Sequence, residues 1–461
     1  ELAGELGATL GLPQREPMKA AVTYSKEEGD LVIEEVAYLW AEKAYVAATV
    51  IRSKTAKGRQ PAVVMPSGWL GHYTFLPYRK CVDALARSGC VVLFVDDPRT
   101  GRRQAPPAGL YAVASASGTQ PIGIQVFDAL RGLDYLMTRA DVDPGKIGIA
   151  GLGEGAVQAW LAAALEPRFQ FVVAVGGTTT YEALIQAQAG GAAGPDDPSA
   201  FVGCLLRFAD LDRVAACAAP RPVLVAGTPG AKFAGTLQAV YKLCDAADRI
   251  SLLPGERGDT MTPYAKQIAA WVGEQVKTLK GSEAAPQPCA TPEEPDFDVA
   301  ACFQRRIAAG AESLSAKLAS EAAWQAHRAE IVKWLGGACG LEGMKPGADK
   351  VLKTSEAGDT VTEQLQLGID GDFTCPAVLV RPAASGGKKL PAVILSHNDR
   401  QCAASAKIVA AAGQLAAAGY CVIVPDHASA NPQSGQPLGA AGEPSFYGDE
   451  AAGFYGPADA V

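Results

Sequence analysis

Two apolar-rich runs between residues 31 and 53 (LVIEEVAYLW and AYVAATVI) are separated by Ala41-Glu42-Lys43, which predicts an antiparallel hairpin. Beyond it the pattern changes. Short apolar runs at residues 61–65, 90–96, 146–150, 169–175, 222–226 and 249–253 alternate with stretches of helical periodicity at 75–88, 125–137, 154–165, 237–244 and 262–279. Strands that are apolar along their whole length have no solvent face, so they predict a mostly parallel sheet covered by helices on both sides. In such a sheet, ligands bind beyond the carboxyl ends of the strands. The residues following each strand are therefore the ones to inspect for chemistry.

The pattern then partly repeats. Leu6-Gly7-Ala8-Thr9-Leu10-Gly11-Leu12 returns as Leu335-Gly336-Gly337-Ala338-Cys339-Gly340-Leu341, and Gly29-Asp30 as Gly358-Asp359, an offset of 329. Pro61-Ala62-Val63-Val64 returns as Pro391-Ala392-Val393-Ile394, and Leu85-Ala86, Gly89, Val92 and Asp96 as Leu415-Ala416, Gly419, Val422 and Asp426, an offset of 330. So long a period excludes a solenoid and predicts a duplicated domain. Residues 281–298, rich in Pro, Ala and acid, predict a linker between a first unit (1–280) and a second (299–461). The second opens on a helical prelude carrying Phe303, Ile307, Leu314, Leu318, Trp324, Ile331 and Trp334 at helical spacing. Val461 corresponds to about Arg131 of the first copy, so one unit is near-complete and the other truncated.

Composition narrows the possibilities. At 461 residues with 48% hydrophobic and 20% charged, the chain is long enough for two domains and is ordinary globular material. A net charge of −8 without a Lys/Arg-rich run gives no reason to expect nucleic acid or an anionic membrane as partner, and no apolar stretch is long enough to span a bilayer. There is no initiator Met and no signal-peptide pattern at Glu1, so the chain is expected to begin inside something longer. Eleven scattered cysteines predict structural, unpaired thiols rather than a disulfide framework. Four dispersed histidines offer no metal cluster, and no cofactor motif appears: the Gly-rich turn at 151–155 is not followed by the Lys-Ser/Thr of a phosphate loop.

That turn, Gly151-Leu152-Gly153-Glu154-Gly155, stands between a strand and a helix with the spacing of a nucleophile elbow, G-x-S-x-G. Together with Asp96-Asp97-Pro98-Arg99-Thr100-Gly101, Asp143-Pro144-Gly145-Lys146-Ile147-Gly148, Phe208-Ala209-Asp210-Leu211 and Ala219-Pro220-Arg221-Pro222-Val223-Leu224-Val225, it resembles the acetyl xylan esterase and dienelactone hydrolase branch of the α/β-hydrolase superfamily over residues 6–280 and, in part, 299–461. The resemblance implies an α/β-hydrolase fold, a Ser-His-acid triad acting on a carboxylic ester, and an ester or carbohydrate ligand. The triad positions are occupied by other residues. Gly153 stands where the nucleophile belongs, Gly230 where a carboxylate is expected, and Arg257 at or next to the histidine position.

Weaker pocket candidates are Glu154, whose backbone N–H suits an oxyanion hole better than its side chain suits attack, and His72 in the loop after the first core strand. Asp259 lies near the histidine position without a nucleophile to serve. In the second copy His397 falls near the place where relatives carry a His-Gly pair, with Asn398 in place of the glycine, and His427 follows the next strand as a polar turn. A second elbow is expected near position 483, Gly153 shifted by 330. The segment 178–219, with its glycine-rich stretch 190–195, stands where relatives place cap elements.

The leading expectation is a tandem esterase-like protein whose first unit is a pseudo-hydrolase serving as scaffold or binding domain. Ester hydrolysis then belongs to a second unit completed by a C-terminal continuation or another chain. A wholly non-catalytic interaction protein and an active carboxylesterase with atypical residues remain the alternatives. The compartment, cytoplasmic or exported, stays open.

Overall fold

The computed structural model describes residues 2–68, 71–99, 102–103, 107–189, 201–255, 260–292, 294–338, 341, 343–370, 373–385, 389–396, 406–426, 430–431 and 436–437. The chain resolves into two compact units, Glu1–Ser313 and Leu314–Val461.

In the first unit, helix α1 (Leu2–Leu10) precedes three antiparallel strands, β1 (Ala20–Glu28), β2 (Leu31–Ala41) and β3 (Ala44–Ser53). The expected hairpin is β2–β3, turned by Glu42 and Lys43, both at positive φ (49° and 76°). Then come β4 (Gln60–Pro66), α2 (Leu76–Arg87), β5 (Val91–Val95), α3 (Pro107–Ala116), α4 (Pro121–Leu136), β6 (Val142–Leu152) and α5 (Glu154–Leu165). The unit continues through β7 (Val172–Val175), α6 (Tyr181–Ala189), α7 (Leu211–Ala216), β8 (Val223–Ala226), α8 (Ala231–Leu243), β9 (Ile250–Leu253), α9 (Ala265–Thr278) and the first part of α10 (Val299–Ala316).

One nine-stranded sheet runs β1-β2-β3-β5-β4-β6-β7-β8-β9, and every pairing from β5–β4 onward is parallel. Successive side chains of a strand point to opposite faces. Accordingly Ala62 and Val64 join one core with Leu6, Leu133, Trp160 and Leu237, while Val63 and Met65 join the other with Tyr78, Leu85, Ile268 and Val272.

Some elements depart from the sequence expectation for physical reasons. β1 carries AAVTYSKEE and is exposed along most of its length, so no apolar face announced it. Helix α4 starts at Pro121, four residues earlier than expected, because proline's missing N–H costs nothing in a first turn. Helix α8 starts at Ala231 rather than Leu237, and its added first turn includes the buried Phe233. Residues 281–292 and 294–298 contact the first unit at several points: Arg59 donates to the carbonyls of Ser282 and Ala284, Ala20 N to Ala290 O, and Tyr45 N to Asp296 O. The start of α10 buries Val299, Cys302 and Phe303, with the Phe303 ring 5.6 Å from Trp40. The nine cysteines among the described residues are all free thiols.

The second unit contains α11 (Glu321–Ala338), β10 (Lys350–Ala357), β11 (Thr360–Asp370), β12 (Phe373–Pro382), β13 (Ala392–Ile394), α12 (Ala406–Ala417) and β14 (Cys421–Pro425). Its sheet runs β10-β11-β12-β14-β13, with only β13–β14 parallel. That is the order and sense of β1-β2-β3-β5-β4. Details recur as well. Both leading hairpins turn on a glycine at positive φ (Gly29 64°, Gly358 59°), and their registers shift at Val22/Tyr24 and Val351/Lys353. Lys54 N donates to Asp30 O, as Ala383 N does to Asp359 O. A small core of Val378, Val380, Ala412, Ala416, Val422 and Val424 holds this sheet to α12. Among the described residues no helix is long and apolar enough to cross a membrane.

Candidate active site

Strand β6 ends at Leu152 and α5 begins at Glu154, so the chain reverses through Gly153 alone, at φ 56° and ψ −116°. A residue with a side chain is strained in that conformation; glycine adopts it freely. The turn is held on both sides, by Gly153 N donating to Val175 O at 2.8 Å and by Gly153 O accepting from Ala156 N and Val157 N.

The neighbouring glycines are demanded by close packing. A Cβ on Gly151 would lie 2.0 Å from Gly155 O, one on Gly155 2.7 Å from Pro66 O, one on Gly68 2.9 Å from Gly155 N, and one on Gly177 2.3 Å from Gly153 O. Only the central position differs: a Cβ on Gly153 meets nothing within 4 Å. The turn therefore keeps the shape that presents a side chain at the sheet's carboxyl edge, and the residue at its tip has none.

The other expected positions can be placed in part. Gly230 is the cap of α8; its N–H donates to Thr178 O at 3.0 Å, and no side chain extends from it. Arg257, Asp259, His397, Asn398, His427 and the stretch 190–195 lie outside the described residues. Glu154 starts α5, where its carboxylate faces the positive end of the helix dipole and accepts from Gln158 Nε2 at 3.3 Å. The Nδ1 of His72 lies 2.9 Å from Thr74 Oγ1, and its ring is 4.6 Å from that of Tyr73. Burial, aided by the Arg102 charge, lowers the His72 pKa, which favours the neutral ring. Among the described residues no group of three or more His, Cys, Asp and Glu is arranged to hold a metal.

After β5, the Asp96-Asp97-Pro98-Arg99 segment belongs to a polar cluster whose other members no motif indicated. Fully buried Asp97 takes a two-pronged bond from Arg99 (Nε and Nη2, each 2.8 Å) and a third from Gln125 Nε2 at 2.8 Å, and Arg99 lies 5.6 Å from the Tyr111 ring. Beside it Arg103 pairs with Asp128, both buried, while Arg102 reaches Asp96 and the carbonyl of Ala48. Burial pushes both Asp96 and Asp128 up to about 6. The hydroxyl of Tyr78, whose pKa burial and then the charges of Glu154 and Asp97 raise, donates to Ser67 O and fixes the loop after β4. The sequence signal was the acid-rich Asp96-Asp97-Pro98-Arg99, with nothing to pair it to Gln125 or Asp128.

A nine-stranded, mostly parallel sheet with helices on both faces and a glycine-flanked strand–turn–helix elbow at its carboxyl edge defines the α/β-hydrolase fold. No protein-family model matches the chain. It is similar to YtaP of Bacillus subtilis (strain 168), a hydrolase by inferred name, at 26% identity over 189 residues; the match takes in 38% of this chain and 63% of the relative, so less than two thirds of that protein's length is spanned.

Among solved structures it is similar to a Bacteroides fragilis NCTC 9343 protein assigned as an acetyl xylan esterase (TM-score 0.49, 13% identity, 57% of this chain and 80% of that one). Acetyl Xylan Esterase 1 from Thermoanaerobacterium sp. JW/SL YS485 is also similar (TM-score 0.43, 15% identity, 59% and 93%). A methylesterase superposes with a TM-score of 0.46 at 20% identity, covering 68% of this chain and 74% of its own.

Proposed function

We propose that the two units are copies of one esterase-like fold and that the first is a pseudo-hydrolase serving as scaffold or binding domain. Hydrolysis of a carboxylic ester, with an acylated carbohydrate as the substrate class the similarity suggests, then belongs to the second unit once its sheet is completed by a continuation or another chain. One observation carries the reading for the first unit. The elbow retains its shape, but the residue at its tip is Gly153, which has no atom that can attack an acyl carbon. The absence of a side chain at Gly230, where the orienting carboxylate is expected, supports it. The matching strand orders and hairpins support the duplication.

Incubating this chain with p-nitrophenyl acetate and a fluorophosphonate probe tests the proposal. The expected result is no turnover above background and no labelled residue. Stoichiometric labelling of a serine overturns it.

A further inference from the structure

Met137, which caps α4, holds its sulfur among donors. Arg168 Nη1 donates to Met137 Sδ at 3.1 Å, and Gln287 Nε2 reaches the same sulfur at 3.8 Å. The guanidinium is not free to turn away. Its Nε and Nη2 are bound to Glu166, and Nη2 also to Asp134 at 2.8 Å, which leaves Nη1 aimed at the sulfur. A thioether is a weak acceptor, so a cationic N–H at this distance is poorly matched by its partner.

The residue can be reached from solvent. Met137 is half-buried and Gln287 exposed, whereas Met65 and Met261 are fully buried and Met18 is 7% exposed. Met137 also anchors a stretch of the first unit. Its carbonyl accepts from Gln287 N at 3.0 Å, and three residues further on Ala290 N donates to Met18 O at 3.0 Å. Gln287 thus meets Met137 twice, through the backbone at its carbonyl and through the side chain at its sulfur.

We propose that Met137 is a site of oxidation by hydrogen peroxide, and that Arg168 and Gln287 form a cradle for the sulfoxide oxygen. A sulfur lone pair attacks one peroxide oxygen, and the O–O bond breaks as the S–O bond forms. The departing hydroxide takes the proton left on the transferred oxygen. Methionine and peroxide therefore give sulfoxide and water, with two electrons passing from sulfur to the peroxide. Negative charge builds on the departing oxygen, and the fixed Arg168 N–H beside the sulfur is placed to donate to it. The product is polar where the thioether was not, and its oxygen accepts from donors already in position. Gln287, exposed and 3.8 Å from the sulfur, has room to meet it. Oxidation then tightens the attachment of the stretch around Gln287 to the end of α4.

The test treats the full chain with hydrogen peroxide and follows its five methionines by peptide mass spectrometry. Met137 should reach sulfoxide at least about fivefold faster than Met344, which is comparably half-buried. Amide exchange at position 287 should then slow about threefold or more. Met137→Leu should remove that response to peroxide. Gln287→Ala, a change at an exposed side chain, should leave the oxidation of Met137 in place but remove the slowing. Oxidation of Met137 no faster than that of Met344 overturns the proposal. So does exchange at position 287 that is unchanged or faster after oxidation, since the sulfoxide would then lie outside the cradle. Slowing that persists in Gln287→Ala assigns the effect to another contact and also overturns it.

Discussion

Replacing Gly153 by serine separates shape from chemistry at the elbow. At φ 56° and ψ −116° a residue with a side chain is strained by about 1–3 kcal/mol. No steric cost is added, because its Cβ meets nothing within 4 Å. Gly151→Ser, two residues earlier, is the control. Its Cβ would come 2.0 Å from Gly155 O, a backbone atom of α5 that cannot retreat without moving the helix, so a loss above about 4 kcal/mol or failure to fold is expected. Denaturant unfolding followed by circular dichroism reads both, and Gly153→Ser should shift the midpoint with an unchanged slope. The new hydroxyl should stay inert toward p-nitrophenyl acetate, since the position expected to orient a base holds Gly230. Equal damage from the two substitutions would falsify the claim that the tip of the turn is sterically open, and rapid ester turnover by Gly153→Ser would show that a working base survives nearby.

Two further outcomes concern a half-buried arginine and two buried carboxylates. Arg221 spreads its guanidinium over five carbonyls, those of Ala163, Glu166, Phe169, Cys217 and Ala218. Arg221→Ala should therefore cost on the order of 3–5 kcal/mol in thermal or denaturant unfolding, and Arg221→Lys should recover only a part because an ammonium lacks the planar fork; a loss under about 1 kcal/mol for the alanine variant contradicts this. Asp96 and Asp128, pushed up to about 6 by burial, bind protons more tightly folded than unfolded, so their contribution to stability rises as pH falls from 7 through 6 toward 4. Unfolding free energy measured at pH 7 and 5 should increase by on the order of 1–3 kcal/mol at the lower pH, and a decrease over that interval sinks the assignment. Glu166 acts in the opposite sense. Burial works against its charge, but Arg168 and Arg15 hold it down to about 2, so its contribution is lost only below about pH 4.

Much of the architecture was legible because its cause is local. A strand buried on both faces must be apolar throughout, and a helix on a sheet must repeat its apolar positions every three to four residues; β5, β8, α2 and α9 followed from those periods alone. The elbow was equally visible, since a strand and helix joined by so short a turn require small residues at fixed spacing. Polar β1 at the sheet edge and helix α3 carried no such signature. The sequence by itself determined that Gly153 brings no nucleophile. Tertiary structure alone decided that Gly151 and Gly155 are forced by backbone contact while the tip between them is open, that Asp97 belongs with Gln125 and Asp128 with Arg103, and that Arg221 ties five carbonyls together. Those facts depend on atoms far apart in the chain meeting at distances set by packing, and no local period encodes such a meeting.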